Sequence, residues 1–350
     1  MAVSYSALRR IVVDALYRLA LWVQPVFPDL PRRLSVRIES LGRIRRVAFR
    51  YASAARSALR LVHPLLPQEL VRILAALGVR QGDTLLLFVD EDSLAGALPP
   101  PRVGAIFGHH YQKRLLLALR EFLGETGTLV LPCDSVDDPK KLSHQRRLFD
   151  AKRSMARGLS GLFQRQPGVF RSAGPLLSLG ACGNSAEELM RGQIDAAPFP
   201  MGLNSPWAKL LSRNTKVAVI GRGSARNLSL LLPIHVDNAD YPRPAFFHRP
   251  FRFSVINDDR QAVEVDFHLH ACPFQAEYNL ANFAEYDVFM KYLDEKYDIY
   301  RKAKLGNVDV AVFGYAEQYD VLRAEMSAGV FLDDARYWRS GRRTVIGGGS

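Results

Sequence analysis

The stretch PGVFRSAGPLLSLGACG, residues 167–183, has the composition of a binding turn. Its prolines and glycines are typical of a tight loop, and Ser172 and Ser178 can donate hydrogen bonds to a ligand or cap the turn itself. The stretch contains no histidine, acidic residue or lysine. It therefore offers binding groups but no imidazole, carboxylate or amine to act as a base.

Histidines elsewhere are the candidates for acid–base or metal chemistry. His235 precedes Asp237 by two residues. On an extended strand the two side chains would share a face about 6–7 Å apart, and a turn would bring them closer. Such a histidine is either a general base or a structural residue. His268 and His270 share one face of a predicted strand, but a metal site needs a third ligand that the sequence does not supply, so we predict no metal.

Three cysteines, Cys133, Cys182 and Cys272, are far apart and odd in number. This pattern indicates a reducing compartment and buried thiols, not a disulfide framework or a zinc site. Cys182 has no histidine beside it in the sequence, so we predict no nucleophilic role for it. The fragment GRG at 221–223 lacks the third glycine of a dinucleotide-binding fingerprint.

The net charge of +12 is concentrated near the N-terminus. Residues 1–64 contain twelve arginines, no lysine and three acidic residues, so they carry +9 and leave +3 for the rest of the chain. Apolar residues at helical spacing predict two basic amphipathic helices in this segment. These helices fit an anionic membrane surface, a partner subunit or the main domain. No aromatic-interleaved basic groove supports nucleic acid as the partner.

No apolar run reaches the roughly 18 residues needed to span a bilayer, and the N-terminus lacks the pattern of a signal peptide. We predict a cytoplasmic protein and leave peripheral membrane contact open. Residues 1–66 are predicted to form a helical extension, and residues 67–350 an α/β domain.

Helical patterns alternate with apolar runs through the main domain. TLLLFV, TLVLP and KVAVI each predict a buried strand, and VDVAVFG predicts a further strand in the tail. This alternation predicts an α/β fold with a largely parallel or mixed central sheet flanked by helices. RPFRFSVINDDRQAVEVDFHL alternates apolar and polar residues around a turn, which predicts an added antiparallel hairpin.

Three local features of the same domain complete this description. Residues 134–154 are polar and predict an irregular surface loop. His109–His110 are predicted to be solvated loop residues. SAEELMRG predicts a short helix with a capping pattern of Ser185 and Glu188.

Several spaced pieces of the main domain follow a familiar order. They begin with LGVRQGDTLLLFV and Ser93–Leu94, and continue with ALREFLGETGTLVLP. FDAKRSMARGLSGLFQRQPGVFRS follows, then Pro175 and Ser178, then Ser205–Pro206 and VAVIGRG. Together, over roughly residues 67–265, they resemble the aminoglycoside 3-N-acetyltransferase family.

The resemblance implies a reaction. Members of that family transfer an acyl group from acyl-coenzyme A to an amine, so it implies acetyl-coenzyme A or another acyl-coenzyme A as co-substrate and a small-molecule amine as acceptor. The family supplies its base as a histidine paired with a carboxylate. It carries further histidines in the first turn and immediately before the proline of the central motif.

This sequence departs from the family at those positions. Gly174 stands where the histidine before Pro175 belongs, and Asp90 or Glu91 replaces the histidine of the first turn.

The base segment reads RNLSLLLPIHVDNADYP. A gap-free alignment places Leu232 at the histidine position and His235 at the glutamate position. A three-residue insertion instead makes His235 the base, with Asp237 or Asn238 near the acid position. Both alignments stay open.

On the resemblance we predict three groups of site residues. The catalytic pair is His235 and Asp237. The acceptor amine is bound by Asp90, Glu91 and Ser93, because carboxylates suit a cationic acceptor. The donor is bound by Arg171, Ser172, Ser178 and Asn227; for Arg171 the alternative is a surface salt bridge.

The sequence keeps the order of the family's motifs but differs at its histidine positions. Two functions are compatible with this combination. The first is a coenzyme A-dependent N-acyltransferase that acts on an amino sugar or a related amine. A strongly cationic aminoglycoside fits less well as the acceptor, since the main domain carries a net charge near +3. The alternative is a catalytically silent scaffold or regulatory subunit that docks a membrane or protein partner through its arginine-rich N-terminal helices.

Overall fold

The computed structural model describes residues 67–89, 101–133, 148–153, 156, 158–221, 250–268, 292–305 and 308–328, with the backbone alone for 101–111 and 326. The predicted N-terminal extension lies outside the described residues, so the predicted boundary at residue 66 stays a prediction. Among the described helices, none is both long enough and apolar enough to cross a membrane.

The described part contains nine strands and seven helices. The strands are β1 (Thr84–Val89), β2 (Thr128–Pro132), β3 (Phe170–Arg171), β4 (Leu179–Gly183), β5 (Lys216–Ile220), β6 (Phe251–Ile256), β7 (Ala262–Phe267), β8 (Arg301–Leu305) and β9 (Val308–Gly314). The helices are α1 (Pro67–Ala76), α2 (Pro101–Leu123), α3 (Gly158–Gln164), α4 (Ala186–Met190), α5 (Pro206–Ser212), α6 (292–297) and α7 (Tyr315–Ser327).

Seven strands form one mixed sheet in the order β3-β4-β2-β1-β5-β9-β8. The three central strands β2, β1 and β5 are parallel, and the strands outside them pair antiparallel to their neighbours. β6 and β7 form a separate antiparallel pair. The predictions of a mixed central sheet and an added hairpin are both confirmed.

The apolar runs form strands because both faces of the central sheet are covered. Leu85 and Leu87 face a core with α1, α2 and α3, whereas Leu86 and Phe88 face a second core with α4, α5 and α7. Side chains alternate between the faces of a strand, so a strand that is buried on both faces reads as a continuous apolar run. The result is a sheet between two helical layers.

The predicted surface loop at 134–154 is partly wrong. Phe149 is buried with only 2% of its surface exposed, in a third core with the hairpin residues Phe253 and Phe267. Its N–H donates to the carbonyl of Ser254 at 2.9 Å, and its carbonyl accepts from Ile256 at 2.8 Å. Phe149 therefore extends the hairpin, although most of its sequence neighbours are polar.

Two smaller expectations are also wrong. His109 and His110 lie within α2, which begins at Pro101, and not in a loop. The short helix α4 forms as predicted, but the Ser185 side chain does not cap it, because no backbone N–H of the helix donates to the Ser185 hydroxyl. Instead the Ser185 hydroxyl accepts from the guanidinium of Arg213 at 2.9 Å.

One buried carboxylate ties α6 to α7. The Glu325 side chain is 3% exposed and accepts hydrogen bonds from Tyr292 at 2.8 Å and from Lys296 and Tyr297. Burial raises the pKa of Glu325, but these three hydrogen bonds outweigh it and hold the pKa below its ordinary value. The carboxylate stays charged because its partners satisfy it.

Candidate active site at the carboxyl edge of the sheet

The three parallel strands end at one edge of the sheet, which we call the carboxyl edge. β1 lies between β2 and β5, so the chain leaves β1 for a strand on one side and later returns to a strand on the other. At the end of β1, Val89 pairs with Ile220 of β5. In open α/β sheets such a switch in strand order opens a crevice at the carboxyl ends, where ligands bind.

Two of the segments that hold predicted site residues leave the sheet at this crevice. Asp90, Glu91 and Ser93 follow β1, and Asn227, His235 and Asp237 follow β5 along the chain. All six lie outside the described residues. The structure therefore shows where the two segments that carry these residues leave the sheet. The roles of the six residues stay predictions.

The loop of residues 172–178 reaches the same edge. It joins β3 to β4, and β4 begins at Leu179 opposite Pro132, the last residue of β2. The Cys133 N–H, just after β2, donates to the carbonyl of Ser178 at 2.8 Å. The 172–178 loop is therefore anchored beside the carboxyl end of β2.

Both serines of the 172–178 loop are buried and shape it from within. The Ser172 hydroxyl accepts from the Leu179 N–H at 3.0 Å, and the Ser178 hydroxyl donates to the carbonyl of Gly174. These bonds agree with the alternative that the serines cap the turn. Contact of either hydroxyl with a donor stays a prediction.

Gln193 is a residue that the sequence analysis missed. Its side chain is completely buried and bridges the 172–178 loop. Its oxygen accepts from the Gly174 N–H at 3.2 Å, and its nitrogen donates to the carbonyls of Leu176 at 2.6 Å and Leu177 at 3.3 Å. A Cβ at Gly174 would lie 2.5 Å from Cδ of Gln193. Position 174 therefore has no room for a side chain while Gln193 holds the loop.

Trp207 holds the 172–178 loop from a second direction and was also missed. Its indole N–H donates to the carbonyl of Leu177 at 2.8 Å. α5 positions the ring, because Pro206 begins this helix and the Ser205 hydroxyl caps it by accepting from the Ala208 N–H at 3.1 Å. In the sequence, only the glycine at position 174 indicated that another side chain fills the space beside this position.

Arg171 points toward the segment that carries Phe149. Its guanidinium donates to the carbonyl of Ala151 at 3.2 Å and lies 5.5 Å from the centre of the Phe149 ring. A cation over an aromatic face is stabilised by the ring quadrupole. The predicted contact of Arg171 with a donor phosphate stays a prediction.

The remaining candidate residues are cysteines and histidines, and those that the structure describes lie in surroundings typical of structural residues. Cys133 and Cys182 are buried thiols outside any disulfide, as expected, and burial raises the pKa of Cys182 despite the opposing charge of Arg120. His268 follows β7 and stacks on Phe199 with ring centres 5.3 Å apart. His270 and Cys272 lie outside the described residues. Within the described ranges, no three histidine, cysteine or acidic side chains gather as metal ligands.

Comparison with known proteins gives one family. The model of aminoglycoside 3-N-acetyltransferase matches residues 102–327. Aminoglycoside N(3)-acetyltransferase VII of Streptomyces paromomycinus is 29% identical over 177 residues, which are 45% of this chain and 56% of that protein. The aligned part thus spans a little over half the length of this relative.

Solved structures share the fold. An alanine variant of aminoglycoside acetyltransferase AAC(3)-IVa in complex with gentamicin has a TM-score of 0.57 and 23% identity, over 76% of this chain and 90% of its own. AAC-IIIb with CoASH has a TM-score of 0.54 and 20% identity, over 75% of this chain and 96% of its own. At this identity the likeness concerns the fold.

Proposed function

The chain belongs to the aminoglycoside 3-N-acetyltransferase family, and we propose that it transfers an acetyl group from acetyl-coenzyme A to an amino group of an amino sugar or a related amine. The observation that carries the proposal is the carboxyl edge of β1 and β5. The segments with the predicted carboxylates and histidine both leave the sheet there, at the switch in strand order where α/β proteins bind ligands.

The acceptor half of the site has two tasks. An amine attacks only after it loses a proton, so a base must take that proton. We assign this to His235, with Asp237 orienting the imidazole. Asp90 and Glu91 attract the ammonium to the crevice, and Ser93 donates a hydrogen bond. An imidazole base generates the nucleophile directly, so the proposed transfer needs no metal ion.

The donor half must hold phosphates and a thioester. Arg171 and Asn227 carry donors suited to the phosphates and amides of coenzyme A. In this proposal Ser172 and Ser178 act through the loop that they shape, because their hydroxyls already bond within it. The relative solved with CoASH supports coenzyme A as the donor class, and the one solved with gentamicin supports an amino sugar acceptor.

A second candidate function is a catalytically silent scaffold or regulatory subunit. One observation favours it: the Gln193 amide fills the space beside Gly174, so a histidine there is incompatible with this arrangement. Family members place a histidine at this position, so one proton-transfer group is structurally replaced. The two candidates differ in whether acetyl-coenzyme A binds and is consumed.

Donor binding is the test that separates them. Acetyl-coenzyme A at 100 times its Kd should stabilise the native protein by about 2.7 kcal/mol, because a ligand that binds only the native state raises its stability by mass action. Thermal melting with and without acetyl-coenzyme A measures this shift. A thiol-release assay with a panel of amino sugars then identifies the acceptor. An unchanged melting midpoint at millimolar acetyl-coenzyme A would favour the silent scaffold.

The arginine-rich segment 1–64 gives a further proposal, namely that the protein is cytoplasmic and attaches to an anionic membrane surface through this segment. We expect the full chain to sediment with phosphatidylserine vesicles at low salt, since each basic residue near such a surface contributes about 1 kcal/mol. A chain that lacks residues 1–64 should stay in the supernatant, and phosphatidylcholine vesicles serve as the control. Undiminished sedimentation of the truncated chain would rule the segment out as the anchor and turn attention to a protein partner.

A further inference from the structure

Two peptide units of the 172–178 loop have a fixed direction. The carbonyls of Leu176 and Leu177 both accept from the Gln193 amide nitrogen, and that of Leu177 also accepts from the Trp207 indole. In a planar trans peptide the N–H points opposite to the carbonyl. The N–H groups of Leu177 and Ser178 therefore both point away from Gln193 and Trp207.

Those two N–H groups have no acceptor in the part of the chain that the structure describes. Ser178 is nevertheless 1% exposed. Leu177 is partly buried. Buried backbone N–H groups are nearly always paired, so the unpaired Ser178 donor, with the Leu177 donor beside it, points to a ligand. Their place is the carboxyl edge, where the Ser178 carbonyl is bound by Cys133 just after β2.

The backbone of Leu177 shows that the arrangement is imposed by its surroundings. Its φ of 51° lies in the left-handed region that a leucine rarely adopts. Such a conformation persists only where neighbouring groups hold it, and it is common at sites that bind or react. Gln193 and Trp207 are the groups that hold it here.

We propose that the N–H groups of Leu177 and Ser178 bind the carbonyl oxygen of the acetyl thioester, and that Gln193 and Trp207 are positioning residues for them. The assignment rests on the proposed acetyl transfer. Backbone donors aimed at a developing oxyanion are a large source of rate enhancement in acyl transfer. Gly174 contributes to the same arrangement, because the absence of a side chain at this position leaves the space that the Gln193 amide occupies.

The proposed acetyl transfer has two stages, attack of the amine and collapse of the oxyanion. The neutral amine nitrogen forms a bond to the thioester carbon, and the π electrons of the carbonyl move to its oxygen, which the Leu177 and Ser178 N–H groups stabilise. The oxyanion then collapses and breaks the C–S bond. The coenzyme A sulfur leaves with that electron pair and takes up the proton that the base removed from the ammonium. The attacking nitrogen, which became cationic when the C–N bond formed, releases its extra proton to solvent, which gives an N-acetyl amide and free thiol.

Gln193→Glu tests the positioning role, because a carboxylate keeps the shape but cannot donate to the two carbonyls. Full loss of one oxyanion donor costs about 10²- to 10³-fold in kcat. Gln193→Glu displaces the 172–178 loop but does not remove its N–H groups, so we expect a smaller loss in kcat of about 10- to 100-fold. The KM for the amine should change by less than about threefold, because the oxyanion exists only in the transition state.

Gln318→Glu is the matched control. Gln318 is 1% exposed and donates to the Tyr300 hydroxyl at 3.0 Å, near the start of α7. α7 begins after Gly314, which pairs with Lys216 at the edge of the sheet opposite the carboxyl edge. The same substitution in an equally buried glutamine should lower the melting midpoint and leave kcat unchanged. Equal kcat values for the two variants and the unsubstituted protein would overturn the inference.

A binding measurement on the unsubstituted protein covers the case in which Gln193→Glu fails to fold. In ¹⁵N-leucine and ¹⁵N-serine samples, the amide signals of Leu177 and Ser178 should shift with acetyl-coenzyme A. They should not shift with S-ethyl coenzyme A, which lacks the carbonyl oxygen. Binding of acetyl-coenzyme A without these shifts would overturn the inference and leave the proposed function intact. No binding at all would remove the proposed function and this assignment with it.

Discussion

Replacing His235 with alanine should lower kcat by about 10²- to 10⁴-fold, the usual contribution of a positioned general base. The physical reason is the protonation state of the acceptor. Amino sugars carry ammonium groups near neutral pH, and an ammonium nitrogen has no electron pair for attack. The KM for acetyl-coenzyme A should stay within about threefold, because the base acts on the acceptor. Steady-state thiol release measures both constants.

The pH profile separates loss of the base from general damage. In His235→Ala the residual rate should rise steadily with pH, since solution then supplies the neutral amine. His268→Ala is the control, because this histidine stacks on Phe199 beyond the end of β7. Unchanged turnover in His235→Ala would remove His235 from the mechanism and support the gap-free alignment with Leu232 at the histidine position.

Gly183→Ala should destabilise the protein by about 2–6 kcal/mol, adding backbone strain to overpacking. Gly183 ends β4 with a φ of 119°, which a residue with a side chain rarely adopts. An added Cβ would lie 2.9 Å from Cα of Thr128 and closer still to the carbonyl oxygen of Gly127. Both neighbours are backbone atoms at the start of β2, so neither can move without breaking the β2–β4 pairing.

The matched control is Gly168→Ala. Gly168 also has a positive φ, 75°, but an added Cβ would meet no atom within 4 Å. Gly168→Ala should therefore lower the free energy of unfolding only by the backbone strain, about 1 kcal/mol. Net stabilities of domains are about 5–15 kcal/mol, so the difference will be plain in urea or thermal unfolding. Equal losses in the two variants would show that the close approach to Gly127 carries no cost.

The sequence predicted the architecture because its signals are local. TLLLFV and TLVLP are apolar at every position after the threonine, which is typical of a strand covered on both faces. FRFSVI and AVEVDF alternate instead, and they form the hairpin β6–β7. The family was also recognisable from sequence, since its motifs keep their order along the chain, and the family model matches residues 102–327.

The sequence was less informative about side chains in polar surroundings. Phe149 lies in a segment of mostly charged and polar residues, and such a composition predicts a surface loop. Its burial depends on pairing with Val255 of the hairpin, about a hundred positions further along the chain. Ser185 matched a capping pattern, but Arg213 binds its hydroxyl instead. In each case a partner distant in sequence outweighed the local pattern.

The sequence by itself determined the layers of the fold, the family, and the fact that the histidine before Pro175 is absent. Only the tertiary structure decided what replaced it. Gln193 lies 19 positions after Gly174, and Trp207 lies 30 after Leu177, yet both bind the same loop. Periodicity reports which face of a helix or strand is buried, but it does not report which distant side chains meet. That depends on the path of the chain between them, and here the path brings an amide and an indole to two carbonyls at the edge of the sheet.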